Sequence, residues 1–173
     1  MPPELHFDPA QLDLTQVVAD REAIRTILPQ RFEMEHLTAV VLVDTQRAII
    51  AGYKDVRPDE FWVRGHMPGA PLLPGVIMCE AAAQLSSYYI LKYSELVRDS
   101  IIVFGGLENV RFRAPVRPGD RFVMVAKALK LHRRQSIFNV QGFVGSTMAF
   151  HGDIIGVPMT MSQATADVVA GET

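Results

Sequence analysis

The sequence is short of the residues that build covalent and metal scaffolds. Its 173 residues contain one cysteine, Cys79. That excludes an internal disulfide and a cysteine zinc cluster. Net charge is also scarce, at −2, which argues against a dedicated nucleic-acid binder. No apolar run is long and charge-free enough to span a bilayer. Met1 to Ala10 carry Glu4 and Asp8 and lack a basic start followed by an apolar stretch. No secretory signal is therefore read there, and a reducing cytoplasm is the expected compartment. What the chain does have is globular composition, 49% apolar and 21% charged, enough to offset the ordering entropy of one domain.

Met1 to Glu4 and Ser162 to Thr173 read as the least ordered parts; an extension over 1–19 and a flexible tail over 161–173 flank one domain over 20–160. Asp8-Pro9 and Asp20, with Glu22 behind it, read as helix N-caps. Leu14, Val17, Val18, Ile24, Ile27 and Leu28 form an approximate helical stripe. From Ala39 the period changes. Ala39 to Val43 and Arg47 to Val56 predict a hairpin. Arg57 to Pro74 is dense in proline and glycine, so it is a loop. Its Phe61, Trp62, His66 and Met67 argue that it is ordered and packed. Gly75 to Lys92 predicts a helix apolar nearly all round, and such a helix is buried. The rest is strand-like: 101–104, 107–112, 122–131, 136–144 and 147–158. Consecutive strands around one buried helix predict an α+β fold with a mostly antiparallel sheet.

Two ionisable residues sit where ionisable residues are expensive. Glu80 lies inside the most apolar helix, where an unpaired carboxylate would cost several kcal/mol unless it took up a proton. His66 lies in Gly65-His66-Met67-Pro68-Gly69, whose glycines and prolines fix an unusual backbone path. Taken singly, each reads as a satisfied structural residue. Together, a protonated carboxyl group and a neutral imidazole make an acid/base pair. Pro74-Gly75 adds backbone N–H groups at Gly75 and Val76 without intrahelical acceptors, able to hold an oxygen that gains negative charge. Cys79 reads as a packed thiol, and no histidine grouping supports a metal.

The segment Gly65 to Gly69, with Leu73-Pro74-Gly75-Val76 running on through Glu80 to Gln84, closely resembles the (3R)-hydroxyacyl-acyl-carrier-protein dehydratases of bacterial fatty-acid synthesis. Phe112 to Asp120 matches a later motif of that family. Ile27 to Arg31 with Leu42-Val43-Asp44 loosely matches its opening. The resemblance implies a hotdog fold, in which a sheet wraps a long central helix. It implies a homodimer with two shared active sites, in some members a trimer of dimers. It implies His66 from one chain and Glu80 from the other as catalytic residues, oxyanion donors at Gly75 and Val76, and Gln84 orienting the acid. No cofactor is implied. Where the family has His-Arg and Pro-Phe in its opening motif, this chain has Gln30-Arg31-Phe32-Glu33-Met34. Ala70 stands where the family often repeats a histidine.

The expected reaction is loss of water from a 3-hydroxyacyl thioester, giving a trans-2-enoyl thioester. The expected partner is an acidic acyl carrier protein with a phosphopantetheine arm, steered by Arg111, Arg113, Arg117, Lys130, Arg133 and Arg134. Other readings keep the fold: a thioesterase, a coenzyme A thioester hydratase, or a non-catalytic acyl-binding subunit.

Overall fold

The computed structural model describes residues 3–163. Two helices, α1 (Arg21–Arg25) and α2 (Gly75–Tyr93), accompany six strands. The strands are β1 (Ala39–Asp44), β2 (Ile49–Asp55), β3 (Ser100–Phe112), β4 (Arg121–Lys130), β5 (Ser136–Val144) and β6 (Thr147–Thr160). They form one sheet in the order β1-β2-β4-β5-β6-β3, antiparallel throughout. Helix α2 packs across one face, touching β2 to β6. This is the expected α+β hotdog arrangement. Among the described residues no helix is long and apolar enough to cross a membrane.

The inner core follows from strand alternation. Phe138 and Val140 of β5 point to α2, with Phe122, Met124 and Phe150 beside them and Leu85 and Ile90 opposite. Each such side chain contributes roughly 1.5–3 kcal/mol by leaving water. The intervening residues face outward, and the extension covers part of that outer face. Phe7, Leu12 and Leu14 pack over Val41, Ile49, Tyr53, Val125 and Phe143. His6 Nε2 lies 2.7 Å from Asn139 Oδ1, and the Gln141 amide donates to Glu4 O at 2.7 Å.

The caps at Asp8 and Asp20 are present, accepting from Ala10 N and Ala23 N. The helical stripe is not. Leu14, Val17 and Val18 lie outside any helix, with Val17 and Val18 exposed. The reason is local: Asp13 Oδ1 accepts from both Thr15 N and Thr15 Oγ1, a turn that competes with helix. Residues 101–104 and 107–112 are one strand, not two. Gly105-Gly106 makes a bulge in β3, and the strand there has no room for a side chain, since a Cβ on Gly105 would stand 2.6 Å from Val157 Cγ2. The loop 57–74 buries Trp62, while Phe61 and Met67 are exposed. Residues 161–163 form a helical turn; the rest of the expected tail, 164–173, lies outside the described residues.

Candidate active site

His66 is held by its own loop. Its backbone N–H donates to Trp62 O at 2.8 Å, and Leu72 N–H donates back to His66 O at 2.9 Å. The ring Nδ1 lies 2.8 Å from Leu72 O. A carbonyl only accepts, so Nδ1 carries a proton, and in the neutral tautomer the lone pair is on Nε2. The same loop carries a buried carboxylate. Glu60 accepts from Lys54 Nζ at 2.7 Å, Arg57 N at 2.9 Å and Trp62 Nε1 at 3.0 Å. Burial works to raise its pKa, but these three bonds hold it below the usual value.

The loop ends at Pro74, the N-cap of α2, whose carbonyl accepts from Ile77 N and Met78 N. The N–H groups of Gly75 and Val76 donate to no described residue, as a first helical turn requires. They open on a groove of about 550 Å³ lined by His66, Leu72, Met78, Phe112 and Arg113. A Cβ on Gly75 would stand 2.6 Å from Phe112 Cζ, so glycine lets that ring approach the donors.

Glu80 lies half-buried on α2 and opens elsewhere. Its Oε1 accepts from Gln84 Nε2 at 2.8 Å. It lines a slot of about 30 Å³ with Gln30, Ala83, Ser87, Ile90 and Phe138. Within one chain the expected base and acid therefore face different cavities. A third groove, of about 470 Å³, runs from Val76 and Cys79 along Phe104 to Leu107 of β3. Burial pushes the Cys79 thiol up, so it is the packed thiol expected. Strand β3 is one edge of the sheet and β1 the other, the latter bridged by Ala19 at Val40. Beside β3 Val76 is 76% exposed, with Phe104, Leu107 and Phe112 also exposed.

The expected basic rim is divided. Arg113 lines the His66 groove, and its Nε donates to His151 Nδ1 at 3.0 Å. Arg111 pairs with His151 across β3 and β6, and Arg117 lies on the loop that leads to β4. Lys130 closes the other end of β4 and Arg133 and Arg134 lie just beyond it, on a strand whose ten residues reach about 30 Å. Neighbours in sequence are thus separated by the length of the sheet. Sequence reasoning missed the contacts that hold Gln84: its Nε2 also donates to Met34 O at 2.7 Å, and its Oε1 accepts from His36 N at 3.0 Å. No side-chain pattern announces them, because the segment contributes only backbone groups.

Residues 28–152 match the model of the FabA-like domain. The chain is 35% identical over 136 residues to a 3-hydroxyacyl-[acyl-carrier-protein] dehydratase FabZ of Moorella thermoacetica, covering 79% of this chain and 94% of that one. It is 31% identical over 143 residues to the bifunctional enzyme LpxC/FabZ of Chlorobaculum tepidum. There the match covers 83% of this chain but spans only 30% of the relative's length. The dehydratase heterocomplex ApeI:P of Xenorhabdus doucetiae superposes with a TM-score of 0.69 at 17% identity, over 84% of this chain and 96% of that one. The last likeness shows the fold; the family match and the first relative carry more, and the chain belongs to the FabA-like family, alongside the FabZ dehydratases.

Proposed function

We propose that this chain removes water from (3R)-hydroxyacyl thioesters carried on acyl carrier protein, within fatty-acid biosynthesis. The observation that carries the reading is the His66 ring: its Nδ1 proton is committed to Leu72 O, which leaves Nε2 as a base beside two free backbone donors. His66 Nε2 takes the C2 proton. The Gly75 and Val76 N–H groups hold the thioester oxygen as it gains charge. Glu80 gives its proton to the C3 hydroxyl, the C3–O bond breaks, and water leaves. The imidazolium proton then returns to the Glu80 carboxylate, so the cycle closes without a cofactor.

In this reading the pair comes from two copies of the chain, and the separate cavities that one chain's His66 and Glu80 face support it. The free edge of β3 supports this. Thirteen residues of unpaired edge flanked by exposed apolar side chains invite pairing with a second β3. Arg113, at the mouth of the His66 groove, suits an acidic carrier and its phosphate-bearing arm. The domain proper is the segment 20–160, preceded by the extension 1–19, of which Glu4 to Leu14 strap the outer face.

The test is incubation with 3-hydroxyacyl thioesters on carrier protein and on coenzyme A, reading loss of water by mass spectrometry. Formation of the enoyl thioester supports the proposal. Release of free thiol would replace it with a thioesterase. Binding without turnover would replace it with an acyl-binding subunit.

A further inference from the structure

Gln84 is 2% exposed, and every atom of its amide has a committed partner. The partner of Oε1 is a backbone N–H, of His36, which can only donate. One partner of Nε2 is a backbone carbonyl, of Met34, which can only accept. The amide therefore cannot be turned over. Its remaining N–H must point at Glu80 Oε1, and that oxygen must accept. Because the carbonyl oxygen of a carboxylic acid is the better acceptor, this bond favours Oε2 as the seat of the proton in a protonated Glu80, and Oε2 makes no hydrogen bond to any described residue.

The segment that grips Gln84 is itself fixed by two side chains. Glu35 takes a two-pronged contact from Arg25, Nε to Oε1 at 2.7 Å and a terminal nitrogen to Oε2 at 2.8 Å. Such forked pairs fix direction as well as distance. His36 is 1% exposed, and neither ring nitrogen has a partner among the described residues. A ring buried without hydrogen bonds serves as a plug.

We propose that Glu35 and His36 are positioning residues: they lock the Met34–His36 backbone around the Gln84 amide, which in turn favours Oε2 as the seat of the Glu80 proton. This rests on the reading of Glu80 as the acid. The clamp acts through Gln84 and touches no substrate.

The expected consequences separate geometry from general stability. Glu35→Ala frees the backbone and lowers kcat by between about tenfold and 10²-fold, the scale of an ångström of misplacement. KM stays within about twofold, and the limb of the kcat–pH profile that belongs to the acid moves. Glu35→Gln, which can still accept from Arg25, recovers part of kcat. His36→Phe fills the same space, keeps the backbone N–H and retains kcat within about threefold. Unchanged kcat and pH profile in Glu35→Ala overturn the proposal. If that variant does not fold, side-chain amide exchange in the intact protein decides. Both Gln84 Nε2 protons are expected to exchange far more slowly than those of exposed Gln11, Gln16 and Gln46, and equal rates overturn the clamp. A protein that never releases water defeats the dehydratase reading instead, and the exchange measurement stands apart from it.

Discussion

His66 and Glu80 are held by opposite means. The imidazole is oriented by a carbonyl six residues further on, inside its own loop. The carboxyl is oriented by Gln84, one helical turn away, and Gln84 depends on a segment about fifty positions distant in the chain. The base is thus a local device and the acid a tertiary one. Local geometry survives many changes elsewhere, whereas the acid inherits every disturbance of the segment that precedes β1.

The bluntest way to break the comparison is to remove its two ends. His66→Ala and Glu80→Gln are each expected to lower kcat by about 10²–10⁴-fold in the dehydration assay. Glu80→Gln keeps a carbonyl for Gln84 to donate to, so its thermal unfolding midpoint stays near that of the parent. A fold loss of activity in only one of the two variants would leave a single functional group and no pair.

The support for the base is the next target. Lys54 and Glu60 are buried with side chains 5% and 8% exposed. Burial lowers the pKa of the Lys54 ammonium, while its partner has three hydrogen bonds. Glu60→Gln leaves that ammonium without its counter-charge, which costs about 3–5 kcal/mol. The measurement is a urea unfolding midpoint, expected to fall steeply. The same variant loosens Trp62, whose carbonyl holds His66 N–H, so kcat falls with it.

How much of this was legible in the sequence follows from the same contrast. Helix α2 was readable almost to its last residue because Pro74-Gly75 marks its start and an apolar run its body. Strand β5 was readable because Phe138 and Val140 alternate with Asn139 and Gln141. His66 and Glu80 stood out as ionisable groups in improbable settings. The grip on Gln84 was not readable, since Met34 and His36 offer a carbonyl and an N–H that nearly every residue carries. The layout of the basic rim was not readable for a related reason. A run of arginine and lysine in sequence says nothing of which end of a strand each occupies until the strand is placed.

Between the two holds lies His36, and it gives a pH test. Burial, with Lys54 nearby, pushes its pKa down to about 4, against an upward pull from Glu60. The neutral ring is favoured by the fold. Its stabilising contribution is complete above the unfolded value near 6.5 and is lost as pH falls from there through about 4. The full loss is about 3 kcal/mol. His36→Phe removes this component. The difference in urea midpoint between parent and variant is expected to shift toward the variant between pH 7 and 4.5. A constant difference over that range would mean the ring is not held neutral.

The smallest effect is expected at a pair that belongs to neither hold. Arg121 reaches Asp55 with Nε at 2.6 Å and a terminal nitrogen at 3.0 Å, and its guanidinium lies 3.9 Å from the centre of the Tyr53 ring. The geometry is as good as that of Arg25 and Glu35. The setting differs: both side chains are about two-fifths exposed, whereas Glu35 is 9% exposed. Water and salt screen the exposed pair, so Asp55→Asn should cost at most about 1 kcal/mol, read as a small shift in urea midpoint that shrinks at high salt. Its kcat should match the parent. That equality sharpens the contrast with Glu35→Ala: two forked ion pairs of equal form, only one of which reaches the acid. Equal losses of kcat from both would trace them to general loosening and leave the tertiary hold on Glu80 without support.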